Sequence, residues 1–226
     1  MQHKFRFLLA LVLMLGTFFH ALAVAAPKVH AITFGKWISV QWTAGSGTDD
    51  KAVAMKIRPL VVDGRVKEYV LGPPHEVTDR LFVVRRVFRV NDSLPEDAIL
   101  RWQWQRGGWL LVDRTNGRIA ALNLPDFDAL YSVASWYRDY VAYCGLADDG
   151  KKTYAVVAQL GRRKPVLKKI IGEGISDDAA PDSACSLPEW QRGPVRVSFE
   201  SRSSKQTFGI RGHVVDLVVD DDDEGD

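Results

Sequence analysis

Two cysteines and three histidines carry most of the side-chain chemistry in this sequence. Cys144 and Cys185 are the only cysteines, and His30, His75 and His213 are the histidines after residue 26. Such groups could form a metal site, a nucleophile with its base, or a disulfide. A metal site needs ligands at short, fixed spacing, and neither Cys-x-x-Cys nor His-Glu-x-x-His occurs. A Ser-His-Asp set can be assembled from any of these histidines with many Ser and Asp residues, so it carries no information. There is no Gly-x-Ser-x-Gly elbow, and Gly45-Ser46-Gly47-Thr48 lacks the Lys of a phosphate loop. No motif assigns a catalytic residue, a metal ligand or a cofactor. The reading therefore leans away from an enzyme. The cysteines are left as one disulfide or as two buried thiols. A Cys144–Cys185 bridge closing a loop of about 40 residues would stabilise the fold by about 3–4 kcal/mol.

The compartment bears on that choice. Lys4 and Arg6 precede an apolar run from Phe7 to Leu15, and small-x-small patterns follow at Ala21-Leu22-Ala23 and Ala23-Val24-Ala25. This is the layout of a cleaved secretory signal over residues 1–26. No later segment reaches spanning length, so the expected product is exported, soluble, and periplasmic or secreted. Export favours the disulfide and makes nucleic acid an unsuitable partner.

The chain has 226 residues, 30 Lys plus Arg against 28 Asp plus Glu, and 46% hydrophobic residues. These values describe a globular chain and exclude a disordered, collagenous or disulfide-dense one. Residues 220–226 carry six acids and read as a disordered solubilising tail. The body is basic in compensation. Its densest cluster is Arg162, Arg163 and Lys164 with Lys168 and Lys169, a candidate patch for anionic polymers or lipid headgroups. The plainer reading is a charged edge strand that resists aggregation, with Pro165 assisting.

The elements that must position these residues are mostly strands. Trp37 to Trp42, Leu100 to Gln105 and Val195 to Glu200 alternate in polarity, as half-buried strands do. Asp63-Gly64, Asn116-Gly117 and Asp149-Gly150 each separate two apolar runs and read as hairpin turns. Gly72-Pro73-Pro74 and Gly107-Gly108 read as breaks. A degenerate repeat is present. Leu60-Val61-Val62-Asp63-Gly64-Arg65 resembles Leu111-Val112-Asp113 followed by Asn116-Gly117-Arg118, and Trp-x-Arg followed by Gly or Asp begins at Trp104, Trp136 and Trp190. Asp63, Asp113 and Gln159 are 50 and 46 residues apart, a period typical of propeller blades.

Over Trp109–Leu167 the chain resembles the TolB-type and WD-like β-propeller repeats. The residues that carry the resemblance are Trp109-Leu110-Leu111-Val112-Asp113, Asn116-Gly117-Arg118, Pro125, and Ser135-Trp136-Tyr137-Arg138-Asp139-Tyr140-Val141-Ala142-Tyr143. Tyr137-Arg138-Asp139-Tyr140 departs from the family's Ser-Pro-Asp-Gly. The resemblance implies a small all-β, propeller-like domain over residues 27–219, with about four blades at 29–72, 78–124, 131–171 and 184–219. On such a fold His30 and His213 could face the axis. The alternative is a β-sandwich or open β-structure with one helix near 128–144, where apolar residues fall at helical spacing after Asp128.

The expected function is non-catalytic binding or scaffolding, with an envelope or extracellular protein as partner. An exported hydrolase or lyase at a propeller axis is the first alternative. A glycan-binding module using Trp102, Trp104, Trp109, Trp136 and Tyr137 is the second, although alternation favours these side chains as core.

Overall fold

The computed structural model describes residues 29–42, 52–96, 98–174, 185–201, 205–212 and 214–218. The leader 1–26, the Gly45-to-Thr48 loop, His213 and the tail 220–226 lie outside them. Among the described residues all regular structure is β, in one seven-stranded and two four-stranded sheets.

The N-terminal sheet holds β1 (Ile32–Phe34), β2 (Ile38–Trp42), β3 (Val53–Val62), β4 (Arg65–Glu76), β5 (Leu81–Asn91), β6 (Trp102–Asp113) and β7 (Ile119–Leu122). β1 and β2 share one edge of the long β3: Leu60 to Val62 pair with β1, and Val53 to Ile57 pair with β2. The interruption falls at Pro59, which has no N–H to give to a neighbouring strand. Gly35 closes against it there, donating its N–H to Pro59 O at 2.9 Å. A Cβ on Gly35 would stand 2.4 Å from the proline ring.

From β3 the sheet runs antiparallel through β4, β5 and β6. A single parallel pair, Trp42 with Trp104, returns β6 to β2 and makes the pairings a circuit. Curvature enters where the ladder slips, between Leu71 and His75 in β4 and between Arg85 and Val87 in β5. Gly72-Pro73-Pro74 and Gly107-Gly108 stand at these slips. They lie inside β4 and β6 and do not break the chain as expected. Extra residues in a ladder bend a strand and raise its twist.

The expected first and second blades are therefore one sheet, and the four-blade division fails there. This sheet also buries both faces. Leu60, Val70, Phe82, Val84, Leu110 and Val112 form one core. Trp42, Met55, Ile57 and Val87 form another. Ile57 and Leu60, three apart on one strand, point to opposite faces.

The middle sheet is a meander of β8 (Ala134–Tyr137), β9 (Tyr140–Leu146), β10 (Lys152–Gln159) and β11 (Leu167–Glu173). The C-terminal sheet repeats the pattern with β12 (Glu189–Arg192), β13 (Val195–Glu200), β14 (Lys205–Arg211) and β15 (Val214–Val218). These two sheets follow the expected divisions at 131–171 and 184–219. The alternative helix near 128–144 does not form. Asp128 Oδ1 accepts from Leu130 N and Tyr131 N, and Ser132 N donates to Asp128 O at 2.8 Å, which closes one turn only. Arg138 then takes φ 53° and reverses β8 into β9.

The middle sheet buries both of its faces. One face packs Ala142, Cys144, Ala155, Val157 and Ile171 against Val197, Phe199, Phe208 and Ile210 of the C-terminal sheet. The other face carries Val141, Tyr143, Val156 and Ala158, against Leu124 and Phe127. Cys144 and Cys185 are joined, with Cα atoms 6.2 Å apart. The bridge ties β9 to the segment that enters the C-terminal sheet.

Candidate functional site

The Asp residues of the degenerate repeat tie turns of the N-terminal sheet to neighbouring segments. Asp63, at the β3–β4 turn, accepts from His30 Nδ1 at 2.9 Å and from Ala31 N at 3.1 Å. Asp113, at the end of β6, accepts from Arg80 Nε at 2.9 Å, from Arg80 Nη2 and from Thr115 N. The Arg80 guanidinium holds the Asp113 carboxyl well below the usual carboxylate range. His30 is thus a structural partner of Asp63, packed beside Gly117. His213, its expected companion, lies outside the described residues.

The basic cluster divides. Arg162, Arg163 and Lys164 are exposed between β10 and β11. Lys168 pairs with Asp126 at 2.8 Å and covers the Tyr154 ring. Its neighbour Lys169 reaches toward Phe208 of the C-terminal sheet. Consecutive strand residues point to opposite faces, so the five cations do not share one surface.

Most of the tryptophans named from the sequence are half-buried in seams. Trp136 stacks on His75 and meets Trp109 edge-on. Tyr137 stacks on Trp190, whose Nε1 donates to Ser135 O at 3.1 Å. Trp102 differs, with 51% of its surface exposed.

Trp102 opens an exposed apolar surface. It stands opposite Asn91 at the root of the β5–β6 hairpin. The connection beyond it also exposes Leu94, Ile99 and Leu100, at 56, 78 and 61%. Large apolar side chains in such a group mark an interaction site more often than isolated ones do. The connection is internally tied. Asp92 N donates to Arg101 O at 2.7 Å, and Arg101 N donates to Ser93 Oγ at 2.5 Å. Ser93 Oγ also lies 2.8 Å from Asn91 Oδ1 and 3.1 Å from Ile99 O. Gln103 Nε2 donates to Asp92 Oδ2 at 2.8 Å. The apolar side chains are therefore presented on a built tip.

A second feature is a cleft of about 590 Å³ lined by Trp37, Ile38, Ser39, Lys56, Leu71 and Gly72. Trp37 and Ile38 are 49 and 43% exposed. The Arg58 guanidinium lies 4.5 Å from the Trp37 ring centroid and 4.0 Å from that of Phe34. Its Nε is buried without a hydrogen-bond partner among the described residues. Lys56 and Arg58 make this region cationic.

Sequence reasoning missed the tip. The alternation read from Leu100 to Gln105 becomes a strand only at Trp102, so Leu100 belongs to the connection. The available signal was three large apolar residues among polar ones, between Asn91 and Trp102. No group of three or more metal-ligating side chains forms among the described residues. The chain matches no family model, no curated protein and no solved structure.

Proposed function

We propose that this protein is an exported, non-catalytic binding or scaffolding protein of the cell envelope, docking through the β5–β6 tip. The observation that carries the reading is the exposure of Leu94, Ile99, Leu100 and Trp102 on a connection held by its own hydrogen bonds. A preorganised apolar tip reduces the ordering entropy lost on binding. The Cys144–Cys185 bridge suits an oxidising compartment, and the leader-like residues 1–26 give the route. No helix among the described residues is long and apolar enough to cross a membrane. The two four-stranded meanders fit the blade divisions read at 131–171 and 184–219, and the seven-stranded N-terminal sheet does not fit that division.

The test is a comparison of native complexes from envelope extracts. Wild type is expected to run in a complex that L100D loses, with both proteins equally exported and equally stable. A complex unchanged by L100D would reject the tip as the docking element.

A glycan reading keeps one observation, Trp37 beside Ser39 and Lys56 in an open cleft. Stacking of a sugar on Trp37 would change its fluorescence during oligosaccharide titration. No change across neutral and anionic sugars removes that reading.

A further inference from the structure

The tip and the cleft match each other in size, polarity and charge. The tip offers Leu94, Ile99 and Leu100, with Glu96 exposed among them, Asp92 exposed but bound by Gln103, and one exposed cation, Arg101, at its base. The cleft offers apolar walls at Trp37, Ile38 and Leu71. Lys56 lines it, exposed Lys36 adjoins it in sequence, and Arg58 stacks on Trp37. Its volume, about 590 Å³, is in the usual range for an apolar binding pocket and suits a few aliphatic side chains. Carboxylates rimming an apolar plug would meet ammonium and guanidinium groups rimming an apolar socket. Such complementarity steers encounter and fixes orientation.

No residue of the tip lines the cleft of its own chain. Leu71 stands opposite Arg85, and the tip begins after Asn91 on the same strand. Six strand residues at about 3.3 Å each place Asn91 roughly 20 Å along β5 from the level of the Leu71 wall. A lipid surface is a poorer occupant for the tip, since Glu96 would approach a bilayer surface that is itself anionic.

We infer that the β5–β6 tip of one molecule docks in the Trp37–Leu71 cleft of a second copy, a head-to-tail contact. This deepens the binding reading above and rests on it, with a second copy of this chain as the partner. Contacts of this kind join different surfaces, so they build rings or open chains rather than two-fold dimers. A tip of this size buries area at the low end for specific interfaces, so association is weak and concentration-dependent.

Sedimentation of the full mature protein tests the inference. Wild type is expected to form a concentration-dependent series above monomer. L100D removes the plug, and I38D with K56E removes the socket. Each variant alone is expected to stay monomeric. Mixed in equal amounts they are expected to form a dimer and nothing larger, because one intact tip and one intact cleft remain. E96K is expected to weaken wild-type assembly about tenfold. Mixing an E96K tip with a K56E cleft is expected to restore it. If L100D misfolds, L100S serves in its place, with the thermal midpoint as the check. Monomeric wild type at millimolar concentration would overturn the inference, as would a dimer that survives in either variant or a failure of the pair to complement. If wild type is monomeric while L100D still loses an envelope complex, the self-docking inference falls and the binding reading stands. If L100D loses nothing, both fall.

Discussion

His75 and Trp136 stack across the boundary between the N-terminal and middle sheets, with ring centroids 5.8 Å apart. His75 Nε2 also donates to Arg138 O at 2.8 Å, beside the turn that follows Trp136. Trp109 meets Trp136 edge-on, with ring centroids 5.2 Å apart. This aromatic set crosses the boundary between the two sheets. W136A should destabilise the protein by about 2–3 kcal/mol, from lost apolar burial and lost ring contacts. Denaturant unfolding followed by far-ultraviolet dichroism measures it. A change below about 0.5 kcal/mol, the range of surface substitutions, would show that the seam is held elsewhere.

The disulfide should matter on the scale of its loop. Cys144 and Cys185 are 41 residues apart, and the bridge joins two sheets that also share a core. Replacing both with Ser should lower stability by about 3–4 kcal/mol. Unreduced protein should offer no alkylatable thiol, and mass spectrometry after alkylation reads this directly. Two labelled cysteines in protein from its native compartment would contradict the bridge.

Acid stability should depend on the carboxylates that clamp the sheet end. Arg80 lowers the Asp113 pKa, and Arg114 lowers that of Glu76. A depressed folded pKa gives stability that is present above the unfolded value and is lost as pH falls through the folded one. Wild type should therefore exceed D113N in stability by a constant amount near neutral pH. The gap should shrink progressively below about pH 4, as the carboxyl becomes protonated in the unfolded chain and then in the folded one. Urea midpoints measured from pH 2 to 7 would show it. A gap that widens toward acid would reverse the assigned role.

The tip should be dispensable for folding. Leu94, Ile99 and Leu100 are exposed, so L94S, I99S and L100S should each change stability by less than about 0.5 kcal/mol. Thermal melts check this. A loss above about 2 kcal/mol would mean that the tip packs on the body of its own chain.

What could be read from the sequence was local. Asp63-Gly64 is the β3–β4 turn, with both residues at positive φ, 52° and 74°. Asn116-Gly117 and Asp149-Gly150 also turn hairpins, with their glycines at 66° and 68°. Such dihedrals follow from residue type and immediate neighbours. The two meanders were legible because each strand pairs with the next. The N-terminal sheet was not. Its circuit closes through Trp42 and Trp104, which are far apart in sequence, and its ladder slips at glycines that resembled breaks. The helical spacing after Asp128 reflected one capped turn running into a strand, because periodicity over a short window mixes the two. The tip's exposure depends on how β5 and β6 leave the sheet, so Leu94 and Ile99 looked no different from core residues.

Photo-crosslinking from position 100 in living cells probes the docking role of the tip without assuming a partner. A photoreactive residue replaces Leu100 in one strain and Lys151, exposed between β9 and β10, in another. Irradiation is expected to give discrete adducts from position 100 and none from position 151, and adducts of two copies of this chain where self-docking operates. Equal labelling from both positions, or none from position 100 in a correctly exported protein, would contradict docking through the tip.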